Sequence, residues 1–198
     1  MLQTLLVIFS SAANFLGALI YAKDTYQGKA KPNRVSFFLW ALTTFIGTAA
    51  AIYDNGWHWA VLPVFTAGLC SFTIFLISFF AKGSPWILRP SDFVCGILSL
   101  LALVLWKITE QPAVAILFAI LSDFLATAPT LKKSWTNPET ETPFPYILGS
   151  FCPATSFLVA KTWSFSEIAF PAYLFVASLS IALTIYYRRS VQVRHPPA

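Results

Sequence analysis

Charge is what this sequence has least of. Only 11% of its residues are charged while 57% are apolar, against roughly a quarter charged in an ordinary soluble domain. The mean hydropathy is +0.69, so the composition excludes a solvated globular fold and predicts a membrane protein. Histidine is rarer still, with His58 and His195 alone and neither in zinc-binding spacing. No GxSxG turn, phosphate-binding glycine loop or clustered carboxylate pair is present, and these absences weigh against an enzyme. The three cysteines, Cys70, Cys95 and Cys152, fall inside apolar runs without CxxC spacing or histidine partners. They read as small buried apolar residues and not as disulfide or metal ligands, and no cofactor is expected.

What the sequence has is length of apolar run. Seven stretches of about 16 to 23 residues, the reach needed to cross about 30 Å of hydrocarbon as a helix, lie near 4–22, 35–53, 59–81, 93–108, 112–131, 144–160 and 167–187. Met1, Leu2 and Gln3 carry no positive charge and the run behind them is long for a signal peptide, so the first stretch is expected to be a mature helix. The expected fold is therefore an all-α membrane protein with seven transmembrane helices.

Of 13 Lys and Arg, eleven fall in the first, third and fifth connections and the tail: Lys23, Lys29, Lys31, Arg34, Lys82, Arg89, Lys132, Lys133, Arg188, Arg189 and Arg194. Lys107 and Lys161 alone lie on the other side. The positive-inside rule then puts the N-terminus outside and the C-terminus in the cytoplasm. Because the charges of this +5 chain flank apolar runs and line no single patch, a nucleic-acid partner is not expected. Trp57, Trp59, Trp106, Trp163, Trp86 and Trp135 sit near the expected interfaces, as aromatic belts do, while Trp40 lies deeper.

The chain also echoes itself. YAKDTYQGKAKPNRVSFFLWAL at 21–42 and TLKKSWTNPETETPFPYILG at 130–149 are polar hinges of similar build. A shift of 109 pairs Asn14 with Asp123, Gly17 with Ala126, Lys23 with Lys132 and Leu39 with Leu148, and a one-residue gap then pairs Pro63 with Pro171 near the starts of late helices. Spans 1 to 3 would thus recur as spans 5 to 7. Two odd-numbered units insert in the same sense only if an extra helix intervenes, and span 4 is that helix. The expected organisation is 3+1+3: residues 1–82, a linker helix within 83–110, and residues 111–198 with a short basic tail.

This architecture resembles the SWEET and PQ-loop superfamily of small transporters, and GKAKPNRVSFFLWAL and NPETETPFPYIL are similar to stretches of its bacterial members. The resemblance implies parallel triple-helix repeats about an axis along the membrane normal. It also implies a multi-pass protein of the plasma membrane, in bacteria the inner membrane, that moves a small polar solute, sugar favoured, by alternating access. The superfamily's Pro-Gln near the cytoplasmic end of the first helix of each repeat is here Pro129-Thr130 in one repeat and Ile20-Tyr21 in the other. Hinge or gate positions carried over are accordingly Pro129, Pro153, Tyr21 and Thr130. A receptor or accessory protein on the same scaffold, binding without translocation, is the alternative.

Within the spans, the polar residues are the candidate solute-binding set. Asp123 lies nine residues before Lys132, some 13 Å along the helix, where an aspartate costs about 2.5 to 3.5 kcal/mol on insertion scales. It serves either as a cavity group, with proton coupling, or as a structural hydrogen-bond partner. Asn14 is its mate, again either wall or packing. Ala18 with Tyr21, and Thr127 with Thr130, share their helix faces. Cys70 and Ser178 pair across the units, as do Thr44 with Pro153 and Gly47 with Ser156, as solute contacts or as helix packing. Trp40 stacks on a sugar ring or packs between helices. Glu139 and Glu141 with Lys132 and Lys133 form a solvated cytoplasmic loop or gate. Partners expected are the solute and membrane lipid; homo-oligomerisation is left open.

Overall fold

The computed structural model describes residues 2–81 and 90–194, with backbone alone for residues 91, 92, 95, 102, 103, 106, 193 and 194. Lys82, Trp86, Arg89 and His195, and the side chains of Cys95, Trp106 and Arg194, lie outside the described residues. The described residues form helices and no strand. In order these are α1 (Leu2–Tyr26), α2 (Arg34–Asn55), α3 (Val61–Ser78), α4 (Pro90–Thr109), α5 (Pro112–Thr136), α6 (Pro143–Ala154), α7 (Ser156–Val159) and α8 (Phe165–Arg194). Among them α1, α2, α3, α5 and α8 are long and apolar enough to cross a membrane. The chain is an all-α, multi-pass membrane protein.

Local chemistry sets the ends. Asn33 caps α2 by accepting the Val35 N–H at 3.0 Å, Pro112 and Pro143 open α5 and α6 where no N–H is needed, and Gly56 closes α2 at φ +69, a backbone state that favours glycine. Helices run past the apolar stretches where ends are polar but still held. α8 extends to Arg194 and not to 187, with Arg188 over the Trp135 ring at 4.8 Å and Arg189 donating to the Pro138 and Glu141 carbonyls. Its start at Phe165 also leaves Pro171 inside the helix and not near its first turn. The expected sixth span is broken at Thr155 into α6 and α7. Pro153 supplies the cause: it has no N–H for the Gly149 carbonyl, and Thr155 turns its own N–H and hydroxyl back to Cys152 O.

Packing follows a repeated pattern. α3 lies against both α1 and α2, and α8 lies against both α5 and α6, while among the described residues the backbones of α1 and α2, and of α5 and α6, stay apart, α1 reaching α2 through the side chains of Tyr21 and Phe37. Between these groups α1 meets α6, α2 meets α5, and α3 touches α8. Exchanging α1 with α5, α2 with α6 and α3 with α8 carries this set of pairings into itself. α4 stands beside α5 and has no counterpart, joined to it by a Ser99 to Ser122 hydroxyl bond of 2.8 Å.

Small residues set the spacing. A Cβ at Gly17 would stand 2.7 Å from Leu148 Cδ1, and one at Gly47 would stand 3.0 Å from the Phe170 ring, so the absent side chains make room for Leu148 of α6 against α1 and for Phe170 of α8 against α2. Trp57, Trp59, Trp135 and Trp163 are exposed near helix ends, the placement of an interfacial belt.

Candidate functional site

Between the two helix groups lies a cavity of about 100 Å³, of the order that admits a benzene-sized molecule. Its wall contains Asn14, Ala18 and Tyr21 of α1, Phe37, Trp40 and Thr44 of α2, Cys70 of α3, Asp123 and Thr127 of α5, Tyr146 and Gly149 of α6, and Ser178 of α8. All five expected solute-binding residues, Asn14, Trp40, Cys70, Asp123 and Ser178, are thus brought to one space. Of the expected hinge or gate set Tyr21 reaches the wall, Thr130 is buried on the same face of α5 without lining the cavity, and Pro129 and Pro153 lie within α5 and α6.

Asp123 is 2% exposed and held by hydroxyls from three helices. Thr43 of α2 meets Oδ1 at 2.7 Å, Tyr173 of α8 meets Oδ2 at 2.8 Å, and Thr127, one turn along α5, stands 3.5 Å from Oδ2. Trp40 donates its indole N–H to Thr127 at 3.2 Å, which fixes the ring against the carboxylate's supporting group. The alternatives for Asp123 and Trp40 are therefore not exclusive: each is hydrogen-bonded into the helix packing and each faces the cavity. Such a cage meets the demand that a polar group inside a membrane be satisfied by protein.

The Asn14 side is built differently. Cys152 packs its thiol against Ser11, at 3.8 Å, and against Asn14, and Ser10 meets Thr155 at 2.9 Å. Where Trp40 fills the Asp123 side, position 149, 109 residues further on, is glycine; where Thr127 stands, position 18 is alanine. The room that glycine leaves is taken by Ser178 and Asn14, which lie 3.4 and 3.9 Å from where a Cβ at Gly149 would stand. Thr44 bonds the Trp40 carbonyl, Ser156 bonds the Ala60 carbonyl at 3.0 Å and Gly47 lies under Phe170, so of these pairs only Thr44 also reaches the cavity.

Towards the end rich in basic residues two cavity residues, Tyr21 and Tyr146, reach a cluster around Glu141. This carboxylate, 2% exposed, accepts from Tyr21 at 2.8 Å, Tyr146 at 3.0 Å and Lys133 at 2.7 Å, and Lys133 also reaches the Lys31 carbonyl. The expected loop of Glu139, Glu141, Lys132 and Lys133 thus divides: Glu139 and Lys132 are exposed, whereas Glu141 and Lys133 are built into the packing. At the opposite end His58, 3% exposed, stands 3.6 Å from Glu167, which in turn accepts the backbone N–H groups of Lys161, Thr162 and Trp163. Burial lowers the His58 pKa from 6.5; the Glu167 charge opposes that shift and the Lys161 charge adds to it. No group of three metal-ligating side chains occurs among the described residues.

Sequence reasoning missed Thr43 and Tyr173, and it named Glu141, Lys133 and Tyr21 without joining them to one another or to Tyr146. Thr43 was within reach, since it precedes Cys152 by 109 and lies three residues after Trp40 on the same helix. Tyr173 carried no local signal, because its hydroxyl meets Asp123 only through the packing of α8 on α5. Known proteins add no independent guide: no family model matches the chain, and neither a curated protein nor a solved structure does.

Proposed function

We propose that the chain is a SWEET-like transporter that carries a small polar solute by alternating access, with two triple-helix units rocking about the central cavity and α4 joining them. The observation that carries this reading is the pairing of cavity positions: Asn14 with Asp123, Ala18 with Thr127, Phe37 with Tyr146 and Trp40 with Gly149 lie 109 apart, and Cys70 with Ser178 lie 108 apart, and all of them line the same cavity. The recurrence of α1, α2, α3 pairings in α5, α6, α8 supports a 3+1+3 parallel repeat. Matching element boundaries add to it, since α1 and α5 each have 25 residues and α2 begins 109 residues before α6 (34 against 143). In this reading α6 and α7 together form the sixth span, the Glu141 cluster is the cytoplasmic gate, and the N-terminus lies outside a bacterial inner membrane. Asp123 is the group through which a proton gradient would couple.

The test is solute flux in proteoliposomes, with solutes first screened by thermal shift, because a ligand that binds only the native state raises its stability. Saturable flux of a stabilising solute supports the transporter. Stabilisation without flux favours a receptor on the same scaffold.

A further inference from the structure

Resting on the reading that this cavity is the solute site, we infer that it is built for a small organic cation, with the Asp123 carboxylate as counter-charge and the rings of Tyr21, Phe37, Trp40 and Tyr146 as its apolar face. Among the described residues lining the cavity Asp123 is the sole acid and none is basic. Lys133 is committed to Glu141 at 2.7 Å, ten residues or about 15 Å along α5 from Asp123. Thr43, Thr127 and Tyr173 offer Asp123 dipoles only. In a cavity lined mostly by carbon its charge is therefore left to be met by a proton or by a cation that enters from outside.

The rings point to the same chemistry. Phe37 and Trp40 lie 4.9 Å apart centroid to centroid, Tyr21 and Phe37 5.6 Å, and Tyr21 and Tyr146 6.3 Å, so they form one continuous wall. Aromatic faces attract ammonium groups, most strongly where water is excluded. Trp40 is fixed in place by its N–H bond to Thr127 and needs no rearrangement to present its ring. A neutral sugar asks for polar partners around its whole rim, whereas carbon makes most of this wall. An anionic solute would meet a like charge at Asp123.

Choline and its uncharged isostere 3,3-dimethylbutan-1-ol, which have the same shape, separate the charge from the fit. In detergent-purified native protein, thermal-shift titration should give an affinity for choline at least about tenfold above that for the isostere. Asp123→Asn should remove that preference, and Asn14→Asp, which adds a second carboxylate to the opposite wall, should raise it. If Asp123→Asn does not fold, the native comparison and Asn14→Asp decide. A preference below tenfold in the native protein, including no stabilisation by either compound, overturns the cation site. Choline that binds but is not carried into proteoliposomes refutes the transporter and keeps the cation site; glucose flux without choline binding does the reverse.

Discussion

Thr43 donates its hydroxyl to the Asp123 carboxylate across 2.7 Å, linking α2 of one helix group to α5 of the other. The Leu39 and Trp40 carbonyls are also within 3.2 Å of this oxygen, but one hydroxyl hydrogen cannot serve all three, and the carboxylate contact is the shortest. Position 152, 109 residues further on, is a cysteine whose thiol packs against Asn14. The same structural joint is thus strong on one side, where a hydroxyl meets an acid, and weak on the other, where a thiol meets an amide.

Thr43→Val should accordingly destabilise the protein by about 1 to 3 kcal/mol, because it withdraws a donor from a buried acid while keeping the shape of the side chain. Thr43→Ser should recover most of the loss. Thermal unfolding of the two variants in detergent checks this, and equal melting temperatures for Val and Ser would show that the contact contributes nothing.

Glu141→Gln should also destabilise, by about 1 to 3 kcal/mol, since Lys133 loses its charged partner and two buried tyrosine hydroxyls lose the stronger acceptor. If the cluster is a gate, loosening it admits reagent as well. A cysteine placed at Ala18, in a background without the native cysteines, should label faster from the basic end in the Gln variant than in the parent.

Much of this was legible in the sequence. Apolar run length located α1, α2, α3, α5 and α8, and the spacing of 109 between Asn14 and Asp123 brought both to the cavity that they share. What escaped depends on partners. The buried state of Glu141 depends on Tyr21, 120 residues away, as well as on Tyr146 and Lys133, so the sequence alone left this stretch as either a solvated loop or a gate. The break in the sixth span depends on how the residues after Pro153 satisfy their backbone, and hydropathy contains no term for that.

The stability of the His58 end should depend on pH. Burial holds the ring below its ordinary value of 6.5, so the unfolded chain binds a proton more readily than the folded one. The folded state keeps its full advantage above about pH 6.5 and loses it as pH falls below that value. Melting temperatures measured between pH 8 and pH 5 should therefore fall more steeply for the parent than for His58→Gln; parallel curves would mean that the ring titrates alike in both states.

Orientation is open to a direct measurement. Cysteines introduced at Lys29, in the connection before α2, and at Asn55, the last residue of α2, in a cysteine-free background, lie on either side of that helix. An impermeant maleimide applied to intact cells should label position 55 and spare 29, the outcome that the eleven-to-two bias of basic residues requires. Labelling of 29 alone would invert the protein in the membrane.

Pro153 sits four residues after Gly149, a cavity residue, and leaves the Gly149 carbonyl without its helical N–H partner. In α5 the corresponding loss at Pro129 does not interrupt the helix, which runs on to Thr136. The two prolines are therefore unequal, and the break at Thr155 belongs to Pro153 and the turn behind it. Pro153→Ala returns an N–H to Gly149 and allows α6 and α7 to join, so the variant should be at least as thermally stable as the parent despite the change in a buried side chain. If the wall of the cavity bends at this point during transport, the same variant should bind solute with little change in affinity and carry it several-fold more slowly. A variant that is stabilised and transports at the parental rate would show that the break is a feature of packing alone, and would move the hinge elsewhere in the bundle.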